Sequence, residues 1–135
     1  MNKIIVQAMK KAKKLISKPE TWTKRAYARD INDQYVSYKD PEAYKFCISG
    51  AIDRAFYEID VNIYEYNQNN KFQHINEFSR NIKEFTNRKP SASTEITKYE
   101  EFEDFTQFND DPETTHEEII QLLDHAIKTF SKGDI

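Results

Sequence analysis

From Ile119 to Phe130 the apolar residues Ile119, Ile120, Leu122, Leu123, Ala126, Ile127 and Phe130 return at steps of three and four. That spacing puts them on one face of a helix, and the face needs a core to cover it. The start of the helix is marked just as clearly. Thr115 and Glu118 have the spacing of a capping box, in which the hydroxyl accepts from an amide of the first turn and the carboxylate reaches back to the amide of the cap. Thr114 with Glu117 fits the same rule. Directly before them runs Phe108-Asn109-Asp110-Asp111-Pro112-Glu113. The densest polar cluster of the chain is therefore a hinge beside its clearest apolar helix, and the other elements have to pack around both.

Ile5, Ala8, Met9, Ala12, Leu15 and Ile16 form a second stripe between Asn2 and Ser17, with lysines opposite; Pro19 ends it, because the residue before a proline is pushed out of the helical region. Trp22 reads as an anchor for a core or a loop. Tyr27-Ala28-Arg29-Asp30 and Gln34-Tyr35-Val36-Ser37-Tyr38 flank Ile31-Asn32-Asp33 as the arms of a small hairpin. Asp40-Pro41-Glu42 reads as a helix start, with Asp as the cap and Pro at the first position. The helix predicted from there to Tyr66 carries small residues on one side, Ala43, Cys47, Gly50, Ala51 and Ala55, and large ones, from Ile48 to Ile63, on another. It is expected to be central. Gly50 is one of only two glycines; within a helix it costs roughly 1 kcal/mol relative to Ala, which points to close approach by another element. Phe72, Ile75, Phe78, Ile82 and Phe85 predict a helix ending near Asn87, residues 88–93 a loop, and Thr97 with Glu100 a short helix that buries Tyr99, Phe102, Phe105 and Phe108. The fold expected is mainly α: one domain over residues 1–135, a compact bundle of four or five helices around 41–66, with at most one short β-hairpin near 27–38.

A chain of 135 residues is long enough for one core without staples. The lone cysteine, Cys47, has no intramolecular disulfide partner, and a free thiol suits a reducing compartment, so a cytoplasmic location is expected. Neither a signal peptide nor a membrane span is legible. The net charge of −3 conceals a polarity: residues 1–50 carry 11 Lys/Arg against 5 Asp/Glu, and residues 98–135 carry 3 against 11. The two ends can neutralise each other or simply face water; the sharper reading is a docking surface, with Glu100, Glu101, Glu103 and Asp104 as its acidic face. Direct nucleic-acid binding is the weaker expectation for a chain with an acidic pI, and an acidic mimic of nucleic acid stands as an alternative.

The standard catalytic spacings are absent. His116-Glu117-Glu118-Ile119-Ile120 begins like a zinc-protease helix, but Ile120 occupies the place of the second histidine, so no metal and no cofactor is expected. One nucleophile reading survives: Cys47 in the first turns of a helix, with His116 as base and Asn109 or Asp110 orienting it, as in a small hydrolase or thiol enzyme. Against it, Cys47 on a stripe of small residues behaves as a small hydrophobe, and His116 at a first turn reads as a capping residue.

Trp22-Thr23, Ala28-Arg29-Asp30, Asp40-Pro41, Cys47 with Gly50-Ala51-Ile52, Phe108-Asn109-Asp110 with Pro112, Thr115-His116, and Leu122-Leu123-Asp124 with Ala126-Ile127 together resemble a family of small uncharacterised proteins of bacteria and their phages. The resemblance covers roughly residues 10–56 and 105–130. The region 57–103 looks like an addition, and Lys24-Arg25 stand where a smaller pair is expected. Since turn polars contribute little to a core, Trp22, Arg29, Asp30, Asn109, Asp110 and His116 form the candidate functional patch, with helix capping and loop tying as the competing role. The function expected is a non-catalytic interaction or regulatory factor, phage-associated, with another protein as partner.

Overall fold

The computed structural model describes residues 2–59, 72–91 and 101–132. In chain order these form α1 (Asn2–Leu15), a 3-10 turn (Pro19–Thr21), β1 (Ala28–Arg29), β2 (Lys45–Phe46), α2 (Ile48–Ile59), α3 (Phe72–Arg80), a second 3-10 turn (Ile82–Glu84), α4 (Phe105–Asp110) and α5 (His116–Lys132). The fold is mainly α, with one short antiparallel β pair.

The helix that packs on both long neighbours is α1, which lies against α2 and α5. Its stripe of Ile5, Ala8, Met9 and Ala12, continued by Ile16 just past its end, is wholly buried. Ala8 and Ala12 keep the face thin enough for close packing on two sides, while each buried Ile or Met contributes about 1.5–3 kcal/mol. Across from it α5 buries Ile119, Leu122, Leu123, Ala126 and Phe130. The basic side of α1 is neutralised in part by its neighbours: Lys13 pairs with Asp124 of α5 at 2.7 Å and Lys11 with Glu58 of α2 at 3.3 Å.

The segment 27–47 departs from expectation. Asp30 turns the chain, its Oδ1 accepting from the amides of Asn32 and Gln34, both at 2.9 Å, and Arg29 bridges Tyr35. The ladder partner of β1, however, is β2, with Ala28 opposite Phe46 and Arg29 opposite Lys45. Asp40-Pro41 does not start a helix. The Asp40 carboxylate accepts from the amide of Glu42 at 2.7 Å, making a turn of the kind that competes with helix capping. Residues 44–46 then run extended because their backbone is claimed by β1, as in the 2.8 Å bond from the Tyr44 amide to the Arg29 carbonyl. Helix α2 therefore begins only at Ile48. Its predicted continuation to Tyr66 and the predicted helix start at Thr97 lie outside the described residues.

Gly50 meets the close approach expected of it. A Cβ built there would sit 1.8 Å from the carbonyl oxygen of Tyr27. The loop that carries β1 thus lies directly on the first turn of α2.

Candidate functional site

The polar hinge that joins α4 to α5 is the hub of the molecule, and the last two residues of α4, Asn109 and Asp110, hold the loop after α1. Asn109 is fully buried. Its Oδ1 accepts from Trp22 Nε1 at 2.7 Å and from the amide of Ile48 at 3.0 Å; its Nδ2 donates to the Thr23 carbonyl at 3.1 Å and to Asp110 Oδ1 at 3.0 Å. Two acceptor positions and two donor positions are all an amide offers, so Asn109 is saturated. Asp110 Oδ1 also accepts from the Arg25 amide at 2.8 Å. Arg25 has φ 65°, a left-handed backbone that is costly for a side chain with a Cβ, and the carboxylate helps to hold it. Lys24 closes the same side, donating from Nζ to the carbonyls of Asp111 and Pro112 at 2.7 and 3.2 Å.

The rest of the hinge holds the loop after the second 3-10 turn. Arg88 donates from Nε to Glu118 at 3.2 Å, from one Nη to Asp111 at 2.8 Å and from the other to the Thr114 hydroxyl. Its guanidinium lies over the rings of Phe102 and Phe108, 5.3 and 5.2 Å from their centroids. The Ser91 amide and hydroxyl both donate to Asp111 at 3.0 Å. Burial would raise the Asp111 carboxyl, but the bonds from Arg88 and Ser91 outweigh it and hold the group below its ordinary value. The capping box is formed as read. Glu118 N donates to Thr115 Oγ1 at 3.2 Å and Thr115 N to Glu118 Oε1 at 2.9 Å, which leaves the Thr114 hydroxyl for Arg88.

Four of the six patch residues come together here: Trp22, Asn109, Asp110 and His116. The His116 ring lies 5.9 Å from that of Trp22. Its Nε2 donates to the Ile16 carbonyl at 2.6 Å, so the imidazole caps the end of α1. Arg29 joins through the same loop, donating to Thr23 Oγ1 at 3.0 Å and to the Lys24 carbonyl at 3.3 Å. Asp30 is occupied in its own turn.

Cys47 lies not within the first turns of α2 but immediately before it, where Sγ accepts from the Gly50 amide at 3.3 Å in the manner of an N-cap. The thiol is buried. Burial pushes it up to about 11, against the smaller opposing effect of the Gly50 amide. A thiolate at neutral pH is thus strongly disfavoured, and the Nε2 of His116 is engaged elsewhere. Of the acidic face, Asp104 is the N-cap of α4, accepting from Gln107 N at 2.8 Å, Glu101 and Glu103 are exposed, and Glu100 lies outside the described residues. No cluster of metal-ligating side chains exists among the described residues, and no helix there is long and apolar enough to cross a membrane.

Arg88 and Ser91 escaped the sequence reading, and Asp111 was seen there only as one of the hinge acids. The hinge acids were visible in the sequence; the arginine in a distant loop that they bind had only its position before Pro90 to mark it. A family model described as "Family of unknown function (DUF6197)" matches residues 3–129, extending through the region 57–103 that looked like an addition. No curated protein and no solved structure matches the chain.

Proposed function

We propose that this chain, which belongs to DUF6197, a family of unknown function, is a non-catalytic interaction factor that docks another protein through its tyrosine-bearing segment 27–57. One observation carries the reading. Among the described residues, the large apolar side chains left exposed are Tyr27, Ile31, Tyr35, Tyr44 and Tyr57, and every one belongs to that segment. Tyrosine offers a large, stiff contact area at low entropic cost, and interface energy concentrates on Tyr, Trp and Arg.

The segment is also held in shape. Asp33 pairs with Lys45 at 2.6 Å, the Arg29 guanidinium lies 4.5 Å from the Tyr35 ring centroid, and Arg54 Nη1 donates to the carbonyls of Tyr38 and Asp40 at 2.9 and 2.8 Å. A loop ordered before binding loses little entropy on binding. The state of the candidate catalytic groups supports the non-catalytic part, since Asn109, His116 and Cys47 are occupied or buried. On this reading the factor works in the reducing cytoplasm, in keeping with the free thiol, and among phage-associated regulatory proteins, in keeping with the resemblance carried by the Trp22 and Asn109 motifs. The apolar face of α1 is committed to the core, so its lysines lack the apolar partner that a membrane-surface helix needs.

The test is affinity capture from the native host with the wild-type chain, an Ile31→Asp/Tyr35→Ala variant and a Glu101→Lys/Glu103→Lys variant. The wild type and the lysine variant should recover the same partner, and the Ile31/Tyr35 variant at least about tenfold less, the loss of ~1.4 kcal/mol or more expected for a hot spot. Equal recovery by all three refutes the tyrosine surface; loss confined to the lysine variant moves docking to the acidic face.

A further inference from the structure

Between α3 with its following 3-10 turn and α5 lies a half-open cavity of about 210 Å³. Its apolar walls include the rings of Phe78, Phe85 and Phe130. His125 stands among them, its ring 5.7 Å from that of Phe78 and 5.6 Å from that of Phe85. Besides His125, the titratable side chains in the lining are His74, Glu77 and Glu84, and among the described residues the lining includes no Lys or Arg. Among the described residues neither glutamate is in an ion pair and the His125 ring nitrogens have no hydrogen-bond partner, while Glu77 Oε1 accepts from Gln73 Nε2 at 3.4 Å.

Three features select a ligand. Aromatic faces attract cations through the ring quadrupole. Two carboxylates, with no Lys or Arg in the lining and no ion-pair partner among the described residues, favour the same sign of ligand and disfavour an anion. The volume exceeds that of the ~150 Å³ apolar cavity known to take benzene, and falls short of the ~300 Å³ at which drug-sized sites begin. We propose that this cavity binds a small organic cation with one apolar ring and a short ammonium arm, an arylalkylamine in chemical class, with the ring among Phe78, Phe85 and Phe130 and the ammonium toward Glu77 and Glu84. The site is separate from the tyrosine-bearing segment and does not depend on the docking reading.

The experiment titrates the isotope-labelled full chain with 2-phenylethylammonium, with neutral 2-phenylethanol and with 3-phenylpropanoate, followed by amide and imidazole chemical shifts. The ammonium should give saturable shifts at Phe78, Phe85, His125 and Phe130, with a dissociation constant on the order of 1 mM for a ligand so small, and the carboxylate should bind at least about tenfold more weakly. A Glu77→Gln/Glu84→Gln variant, altered only at exposed side chains, should lose about fivefold for the ammonium or more while binding the neutral alcohol as before, which shows the cavity intact. Absence of saturable shifts at these residues, equal binding of the carboxylate, or undiminished ammonium binding by the variant overturns the proposal.

Discussion

Asp111 shows how a single carboxylate is made structural. It is buried and held by Arg88 and both donors of Ser91, so its charged form is favoured in the folded chain although burial opposes it. A carboxyl depressed on folding stabilises the protein at pH values above its unfolded pKa, and that contribution disappears as pH falls through the folded value. The loss should therefore begin below about pH 4, the ordinary Asp value. Urea midpoints measured from neutral to acid pH should fall in that range for the wild type. An Asp111→Asn variant should begin lower, because Arg88 loses its buried partner, but its midpoint should then change less across the acid range. Equal acid slopes in the two proteins would show that Asp111 is not the group that titrates.

At the scale of elements, the first turn of α2 is shaped by what lies on it. Ala in place of a helical Gly is ordinarily favourable by roughly 1 kcal/mol. At Gly50 the new methyl would stand 1.8 Å from the Tyr27 carbonyl oxygen, and that oxygen is backbone in the loop leading to β1. Either the loop lifts from α2 or the helix shifts. Gly50→Ala should accordingly destabilise by about 1–3 kcal/mol, the usual cost of overpacking, as read by chemical denaturation. A rise in stability would mean that the loop moves aside without cost. The same crowding bears on docking, because Tyr27 is one of the exposed tyrosines and its backbone is fixed by this contact.

For the whole molecule, the hinge at 109–118 substitutes for a larger sheet or a longer core in joining distant parts. Asn109 alone ties the Trp22 loop, the start of α2 and the end of α4. Asn109→Ala would leave Trp22 Nε1 and the Ile48 amide without an acceptor, at about 1–3 kcal/mol each, so a loss of about 2–6 kcal/mol is expected in urea denaturation followed by the fluorescence of Trp22, the sole tryptophan. A loss below about 1 kcal/mol would show that water replaces the amide there. The periodic stripes of α1 and α5, the Thr115 capping box and the constraint at Gly50 were legible in the sequence, because each rests on neighbours within a turn or two of helix or on the cost of one residue type. The patch was legible only as a set of polar turn residues. Its wiring joins positions 61, 87 and 100 apart, as in Asn109 to Ile48, Trp22 to Asn109 and Ile16 to His116, and such bonds leave no period in the chain. Asp40-Pro41 makes the same point in reverse: locally it is a sound helix start, but pairing of 45–46 with 28–29 claims the backbone that a helix would have used. By itself the sequence determined which segments must bury a helical face and, to within one residue, where the last helix begins. Tertiary packing alone decided which of two compatible local signals prevailed and which side chains the hinge would bind, because those choices rest on hydrogen bonds between residues that meet only after the core has formed.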